Sequence, residues 1–143
     1  MATLNVEIVT PEAALWAGEA QALIARSSDG DFTILPEHTA TIGDIVPGVV
    51  RVETSEGELA FAVHGGYFQV ETDLSEGVTN VTVLAGIAEK ATDIDVARAE
   101  ASKERAETEL SASARGESDD TPAHLLAQGA LDRAQLRLRA ATR

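Results

Sequence analysis

Through the first 90 residues, the chain falls into short runs that either alternate apolar and polar positions or are apolar and β-branched, and turn-forming residues separate the runs. Leu4-Asn5-Val6-Glu7-Ile8-Val9, Ala22-Leu23-Ile24-Ala25, Val49-Val50-Arg51-Val52, Glu58-Leu59-Ala60-Phe61-Ala62-Val63, Tyr67-Phe68-Gln69-Val70 and Val78-Thr79-Asn80-Val81-Thr82-Val83-Leu84 are such runs. A period of two places successive side chains on opposite faces, so each run predicts a strand. Asp29-Gly30-Asp31, Pro47-Gly48, Ser55-Glu56-Gly57, Gly65-Gly66 and Ser75-Glu76-Gly77 stand between them as turns, supplying positive φ angles or preset bends. Turn signals every ~8–12 residues predict a sandwich or barrel. The expected fold class is α+β, β then α, with an N-terminal antiparallel β-sandwich over residues 1–90.

After Lys90 the period lengthens. Thr92 or Asp93 can cap a helix whose first turn holds Ile94 and Asp95, and Pro122 behind Thr121 marks a second start, with proline at the first helical position. A polar connection from Ser111 to Asp120 joins them, predicting a C-terminal antiparallel two-helix hairpin over residues 91–143. In the second helix Ala127, Leu131, Ala134, Leu138 and Ala141 form a narrow apolar seam. In the first, a stripe begins at Ile94, Ala97 and Ala101, weakens around Glu104 and Arg105, and resumes at Thr108 and Ala112. Alanine methyls bury little area, so at roughly 25 cal/mol per Å² the pair is held by only a few kcal/mol. Such a hairpin is either an ordinary folded unit with a solvated exterior or an arm able to open.

Composition sharpens the division. The chain has 143 residues, 11 Lys plus Arg against 24 Asp plus Glu, and a formal charge of −13. Residues 1–90 hold 3 basic and 14 acidic groups, all five aromatics and nine of the eleven glycines; residues 91–143 hold 8 basic and 10 acidic groups. The acidity therefore belongs to the sandwich, whose core must be largely aliphatic. Excess negative charge disfavours a nucleic-acid backbone and anionic lipid. The absence of cysteine excludes disulfides, thiolate metal sites and thiol nucleophiles. The start lacks the basic and apolar regions of a signal peptide, and no run of 18 apolar residues occurs, so the expected location is cytoplasmic.

Catalytic motifs are missing. His38, His64 and His124 are dispersed, and there is no nucleophile elbow, P-loop or dinucleotide fingerprint; neither a metal site nor an intrinsic enzymatic activity is expected. The chemistry that remains is cationic. Asp95, Arg98 and Arg105 share one side of the first helix, and Arg133 and Arg137 lie four apart on the second. Guanidinium groups converging from two antiparallel helices can fork around phosphate oxygens. The ordinary alternative is that Arg98 pairs with Asp95 and that the arginines of the second helix favour its C-terminus.

Taken together, Val6-Glu7-Ile8-Val9-Thr10-Pro11-Glu12, Gly30-Asp31-Phe32-Thr33-Ile34-Leu35-Pro36-Glu37-His38, Gly65-Gly66-Tyr67-Phe68-Gln69-Val70 and Val81-Thr82-Val83-Leu84-Ala85 resemble the epsilon subunit of bacterial F-type ATP synthase, the counterpart of the mitochondrial delta subunit. The resemblance spans essentially the whole chain. It implies a noncatalytic central-stalk subunit, peripheral on the cytoplasmic face of the cell membrane, whose sandwich binds the gamma subunit and the c-ring with no direct insertion into lipid. The ring-facing loop would correspond to Asp29, Gly30, Asp31, Leu35, Pro36, Glu37 and His38, with Thr33 and Glu37 standing where the family usually has glycine.

The resemblance further implies that the hairpin either folds down or extends to the alpha and beta subunits and obstructs ATP hydrolysis. Ile94-Asp95-Val96-Ala97-Arg98-Ala99 matches the Ile/Leu-Asp-x-x-Arg-Ala motif of ATP-binding members. By position Glu89, Ile94, Asp95, Arg98, Ala99, Arg105, Arg133 and Arg137 would form a nucleotide site. No cofactor is required on this reading; ATP is a regulatory ligand and Mg²⁺ is left unassigned. The competing reading of the same fold is a free-standing acidic adaptor or nucleotide-sensing module.

Overall fold

The computed structural model describes residues 2–113 and 122–141. Two compact units divide the chain between Ala91 and Thr92. The first holds ten strands: β1 (Thr3–Val9), β2 (Ala14–Ala20), β3 (Ala22–Ser27), β4 (Gly30–Ile34), β5 (Thr41–Ile45), β6 (Gly48–Thr54), β7 (Gly57–Val63), β8 (Gly66–Asp73), β9 (Val78–Ala85) and β10 (Ala88–Lys90). They form two five-stranded sheets, ordered β2-β1-β9-β8-β5 and β10-β7-β6-β3-β4.

Every expected strand run is present, and the sandwich is antiparallel with one exception. β1 runs parallel to β9, pairing Val6 with Val81 and Ile8 with Val83. Four strands went unforeseen. β2 is mostly Ala, Gly and Glu, residues of low strand propensity, and forms at the sheet edge through its pairing with β1. β5 carries Gly43 at its centre, and β10 spans only three residues, too few to show a period. β4 replaces part of the expected Asp29-Gly30-Asp31 turn: the reversal is confined to Ser28-Asp29, and Gly30 at φ 124° opens the strand opposite Ser27.

The alternation explains the core. Leu4, Val6 and Ile8 of β1, Phe68 and Val70 of β8, and Val81 and Val83 of β9 face Leu23, Ile34, Val50, Val52, Phe61 and Val63 of the opposite sheet. Burying each such side chain contributes about 1.5–3 kcal/mol. Phe32 and Phe68 stack with ring centroids 4.5 Å apart. Gly43 makes room for this stack, because a Cβ there would stand 2.5 Å from the Phe68 ring. Gly66 is equally constrained: a Cβ would fall 2.1 Å from the Leu84 carbonyl oxygen.

The second unit contains a 3₁₀ turn (Ala91–Asp93) and two helices, α1 (Val96–Ser113) and α2 (Pro122–Ala141), which pack against each other. The helix start differs from expectation. Asp95, not Thr92 or Asp93, caps α1: its carboxylate accepts the Arg98 backbone N–H at 3.0 Å and its carbonyl accepts that of Ala99. Pro122 does open α2; its expected cap Thr121, and the connection from residue 114 to 120, lie outside the described residues.

The stripe expected on α1 is also out of phase. Ala97, Ala101, Thr108 and Ala112 are exposed, whereas Ala99 and Ala106 are buried, with Ser102, Lys103 and Leu110 half-buried between and after them. Alanines occur all round this helix, so their distribution carries little phase information. On α2, Ala127 and Ala134 are buried and Leu131, Leu138 and Ala141 half-buried, as the seam predicts, but Leu136 and Ala140 are buried as well. The protected surface of α2 is thus wider than one seam.

Candidate functional site

Two sets of residues carry candidate chemistry, one in each unit. The sandwich set does not form one loop. Asp29 sits in the β3–β4 hairpin, whereas Leu35, Pro36, Glu37 and His38 lie in the connection from β4 to β5, which passes from one sheet to the other. The five residues of β4 hold these groups roughly 15 Å apart at ~3.3 Å per residue.

Each end has its own architecture. In the hairpin, the Asp31 carboxylate lies 3.6 Å from Arg26 Nε, the Ser28 backbone N–H donates to Asp44 Oδ2 at 3.1 Å, and the Asp29 N–H donates to Ser27 Oγ at 3.1 Å. In the other connection, Leu35 is exposed and Glu37 adopts φ 71°. This is left-handed backbone at one of the two positions where glycine was the expected family residue. Thr33, at the other, pairs with Ile24 in regular strand. His38 is satisfied locally: the Thr39 carbonyl, 2.8 Å from Nδ1, can only accept, so Nδ1 carries the proton.

The helical set is grouped differently. Glu89 belongs to the sandwich unit, on β10, with its carboxylate 3.8 Å from His64 Nε2. Ile94 and Ala99 are buried and shape the start of α1. Arg98 and Arg105, seven residues apart, project from one exposed side of α1; Arg133 is exposed on α2 and Arg137 is half-buried. The anticipated Asp95–Arg98 ion pair is replaced by the cap, in which Asp95 engages the backbone of Arg98 rather than its guanidinium. The second and fifth residues of the sequence motif, Asp95 and Arg98, are therefore joined by helix geometry itself. Beside Gly129, a Cβ would lie 3.2 Å from Arg133 Nη1, so that guanidinium folds back along α2.

Sequence reasoning overlooked two residues of the β4–β5 connection's surroundings. Thr79 is fully buried, and its hydroxyl oxygen accepts the Glu37 backbone N–H at 2.8 Å. Thr72, its cross-strand partner, donates its hydroxyl proton to the His38 carbonyl. Their signal was a polar residue at a core-facing parity: Thr72 follows Phe68 and Val70, and Thr79 precedes Val81 and Val83.

Elsewhere, the outer face of the first sheet is divided. Glu7, Glu19 and Glu71 line an open acidic depression in which Asn5 donates to Asn80 at 3.2 Å. The far end of the same sheet exposes Ile42, Tyr67 and Leu84, the last two directly paired across β8 and β9. Among the described residues, no cluster of metal-ligating side chains occurs and no helix is long and apolar enough to cross a membrane.

The β-sandwich domain model of the ATP synthase delta/epsilon chain matches residues 3–91, and the long alpha-helix domain model of the same chain matches residues 92–142. The chain belongs to the ATP synthase delta/epsilon family. An ATP synthase epsilon chain from Thermobifida fusca is 46% identical over 109 residues, covering 74% of this chain and 76% of the relative. One from Desulforudis audaxviator is 41% identical over 111 residues, with 78% and 77% covered, and one from Streptomyces griseus is 38% identical over 119, with 82% and 91% covered. The fold is also that of a chain in the Euglena gracilis mitochondrial ATP synthase OSCP/F1/c-ring structure, at TM-score 0.75 and 20% identity, covering all of this chain and 83% of the other.

Proposed function

We propose that this chain is a noncatalytic rotor subunit of the central stalk of a proton-translocating F-type ATP synthase, peripheral on the cytoplasmic face of the membrane. Its sandwich couples the gamma subunit to the c-ring, and its helical unit restrains ATP hydrolysis by engaging the alpha and beta subunits. The observation that carries the coupling role is the uncovered apolar group Ile42, Tyr67 and Leu84, exposed by 75%, 64% and 50% on one sheet face. An apolar group of this kind on a rigid sheet suits a permanent protein neighbour.

Co-purification tests it. The full chain should form a stable complex with gamma, and Leu84→Asp should weaken that complex by placing a charge in the contact. Failure of the unaltered chain to bind gamma would favour a free-standing acidic adaptor. Removing the residues after Lys90 should raise ATP hydrolysis by the assembled enzyme; unchanged hydrolysis would sink the regulatory role.

ATP is the regulatory ligand on this reading. The exposed Arg98 and Arg105 guanidinium groups, on one side of α1, offer paired donors suited to phosphate oxygens. Titration with ATP while following amide protection in α1 is the direct test. Arg98→Ala should weaken the response more than Arg139→Ala, because Arg139 is exposed in the last turn of α2; equal losses would indicate nonspecific charge attraction.

A further inference from the structure

We propose that Thr79 and Thr72 are positioning residues whose hydroxyl groups set the shape of the Leu35–Ala40 connection and thereby the strength of the stalk contact that this connection makes. The contact itself rests on the function proposed above; the positioning rests on the following geometry.

The connection crosses between the sheets, where the paired strands can no longer supply hydrogen bonds to its backbone. Its polar groups must therefore be matched one by one. The His38 N–H donates to the Leu35 carbonyl, and the Thr41 hydroxyl donates to the Thr39 carbonyl at 2.9 Å. Two further groups, the Glu37 N–H and the His38 carbonyl, are taken by Thr79 and Thr72.

The two hydroxyl oxygens are 3.3 Å apart. A hydroxyl has one proton, and that of Thr72 is given to the His38 carbonyl, so the proton between the threonines is that of Thr79. A single directed chain results, running from the Glu37 N–H through Thr79 and Thr72 to the His38 carbonyl. It clamps the two peptide groups that flank the Glu37–His38 peptide, holding the Pro36–Glu37 group by its N–H and the His38–Thr39 group by its carbonyl. The clamp holds Glu37 in left-handed backbone, a region a non-glycine residue does not choose on its own.

An ordinary core position would not be built in this way. Thr79 is the single fully buried polar residue among the described residues, and valine would fill the same volume without a desolvated hydroxyl. What threonine adds is a fixed direction for these two peptide groups, next to the exposed Leu35. Preset geometry of this kind reduces the ordering cost of association.

The test compares Thr79→Val, which keeps shape and removes the hydroxyl, with Thr79→Ser, which keeps the hydroxyl. Thr72→Val interrupts the same chain one step later. In the full-length protein, Thr79→Val should speed amide exchange at Glu37 by about tenfold, the equivalent of one lost hydrogen bond. It should weaken association with the gamma and c-ring complex several-fold, and Thr79→Ser should restore both properties at a comparable melting temperature.

Leu35→Asp is measured alongside because it alters the exposed contact residue directly. If Leu35→Asp weakens association and Thr79→Val does not, the positioning role is wrong and the contact stands. If Leu35→Asp has no effect on association, the contact reading of this connection fails, and the functional half of the proposal fails with it. Unchanged Glu37 exchange in both Thr79→Val and Thr72→Val would overturn the clamp.

Discussion

The two units of this chain are folded by different means. In the sandwich, two sheets enclose Leu, Ile, Val and Phe side chains, and a single residue such as Phe61 or Ile8 is almost completely removed from water. In the helical unit, the buried residues among those described are Ile94, Leu136 and five alanines: Ala99, Ala106, Ala127, Ala134 and Ala140. An alanine methyl is worth about 0.8 kcal/mol when buried, so helix–helix contacts lined by alanine allow close approach but little adhesion. The lesson is that the two units differ in what holds them: large aliphatic and aromatic side chains pack the sandwich, whereas small ones provide most of the buried contacts of the helix pair.

The largest expected effect probes the firm side. Phe61→Ala should cost about 3–5 kcal/mol, read as a lower melting temperature of the whole sandwich. If its cost were no greater than that of Ala106→Gly in α1, about 1 kcal/mol by helix propensity, the contrast between the units would collapse.

Next comes the cap. Asp95→Ala should remove about 1 kcal/mol from α1, visible as faster amide exchange in its first turns with no change in the strands. Loss of protection in β-strands as well would show that the units are not independent in stability. The same substitution bears on the nucleotide reading, since it loosens the helix that presents Arg98.

A smaller effect is expected at Glu37. Replacing it by glycine relieves about 1 kcal/mol of left-handed strain and returns part of that as unfolded-chain entropy. The net gain in stability should be a few tenths of a kcal/mol by chemical denaturation, whereas Glu37→Val should destabilise. A clear loss on Glu37→Gly would mean that the Glu37 side chain contributes contacts of its own.

The smallest is electrostatic. The Ser75 hydroxyl, the Ser75 N–H and the Glu76 N–H all donate to the Asp73 carboxylate, holding its pKa below the ordinary value of 3.8. The folded value is depressed, so the contribution is complete above the unfolded value and disappears as pH falls through the folded one. The Asp73 carboxyl should titrate below 3.8 by NMR, and Asp73→Asn should flatten the acid limb of the stability profile slightly. A midpoint above 3.8 would contradict these hydrogen bonds.

How much of this could be read from the chain depended on the size contrast between neighbouring residues. Val78 to Leu84 is rich in β-branched residues and alternates over Asn80 to Val83, and the strand was evident. Ala14 to Ala20 has little contrast, and β2 was missed although its pairing with β1 is regular. The same cause hid the phase of α1, where alanines at 97, 99, 101 and 106 point in several directions. At the candidate sites, the arginines were identifiable by charge and spacing. Two features resisted sequence reasoning for physical reasons: Thr79 acts through a residue 42 positions away, and the separation of Asp29 from Leu35 requires knowing that the intervening residues are extended strand.

The parallel pairing of β1 with β9 has a consequence for how the protein is made. β1, synthesised before the other strands of the sandwich, takes its place between β2 and a strand that begins at Val78. The hairpin with β2 can close early, but the other edge of β1 must wait until most of the sandwich has been synthesised. Contacts of such long sequence separation slow folding and leave strand edges open in the interval. The helical unit, which follows the sandwich and is built from near neighbours, has no such delay; the sandwich, by contrast, must be nearly complete before its sheets can close.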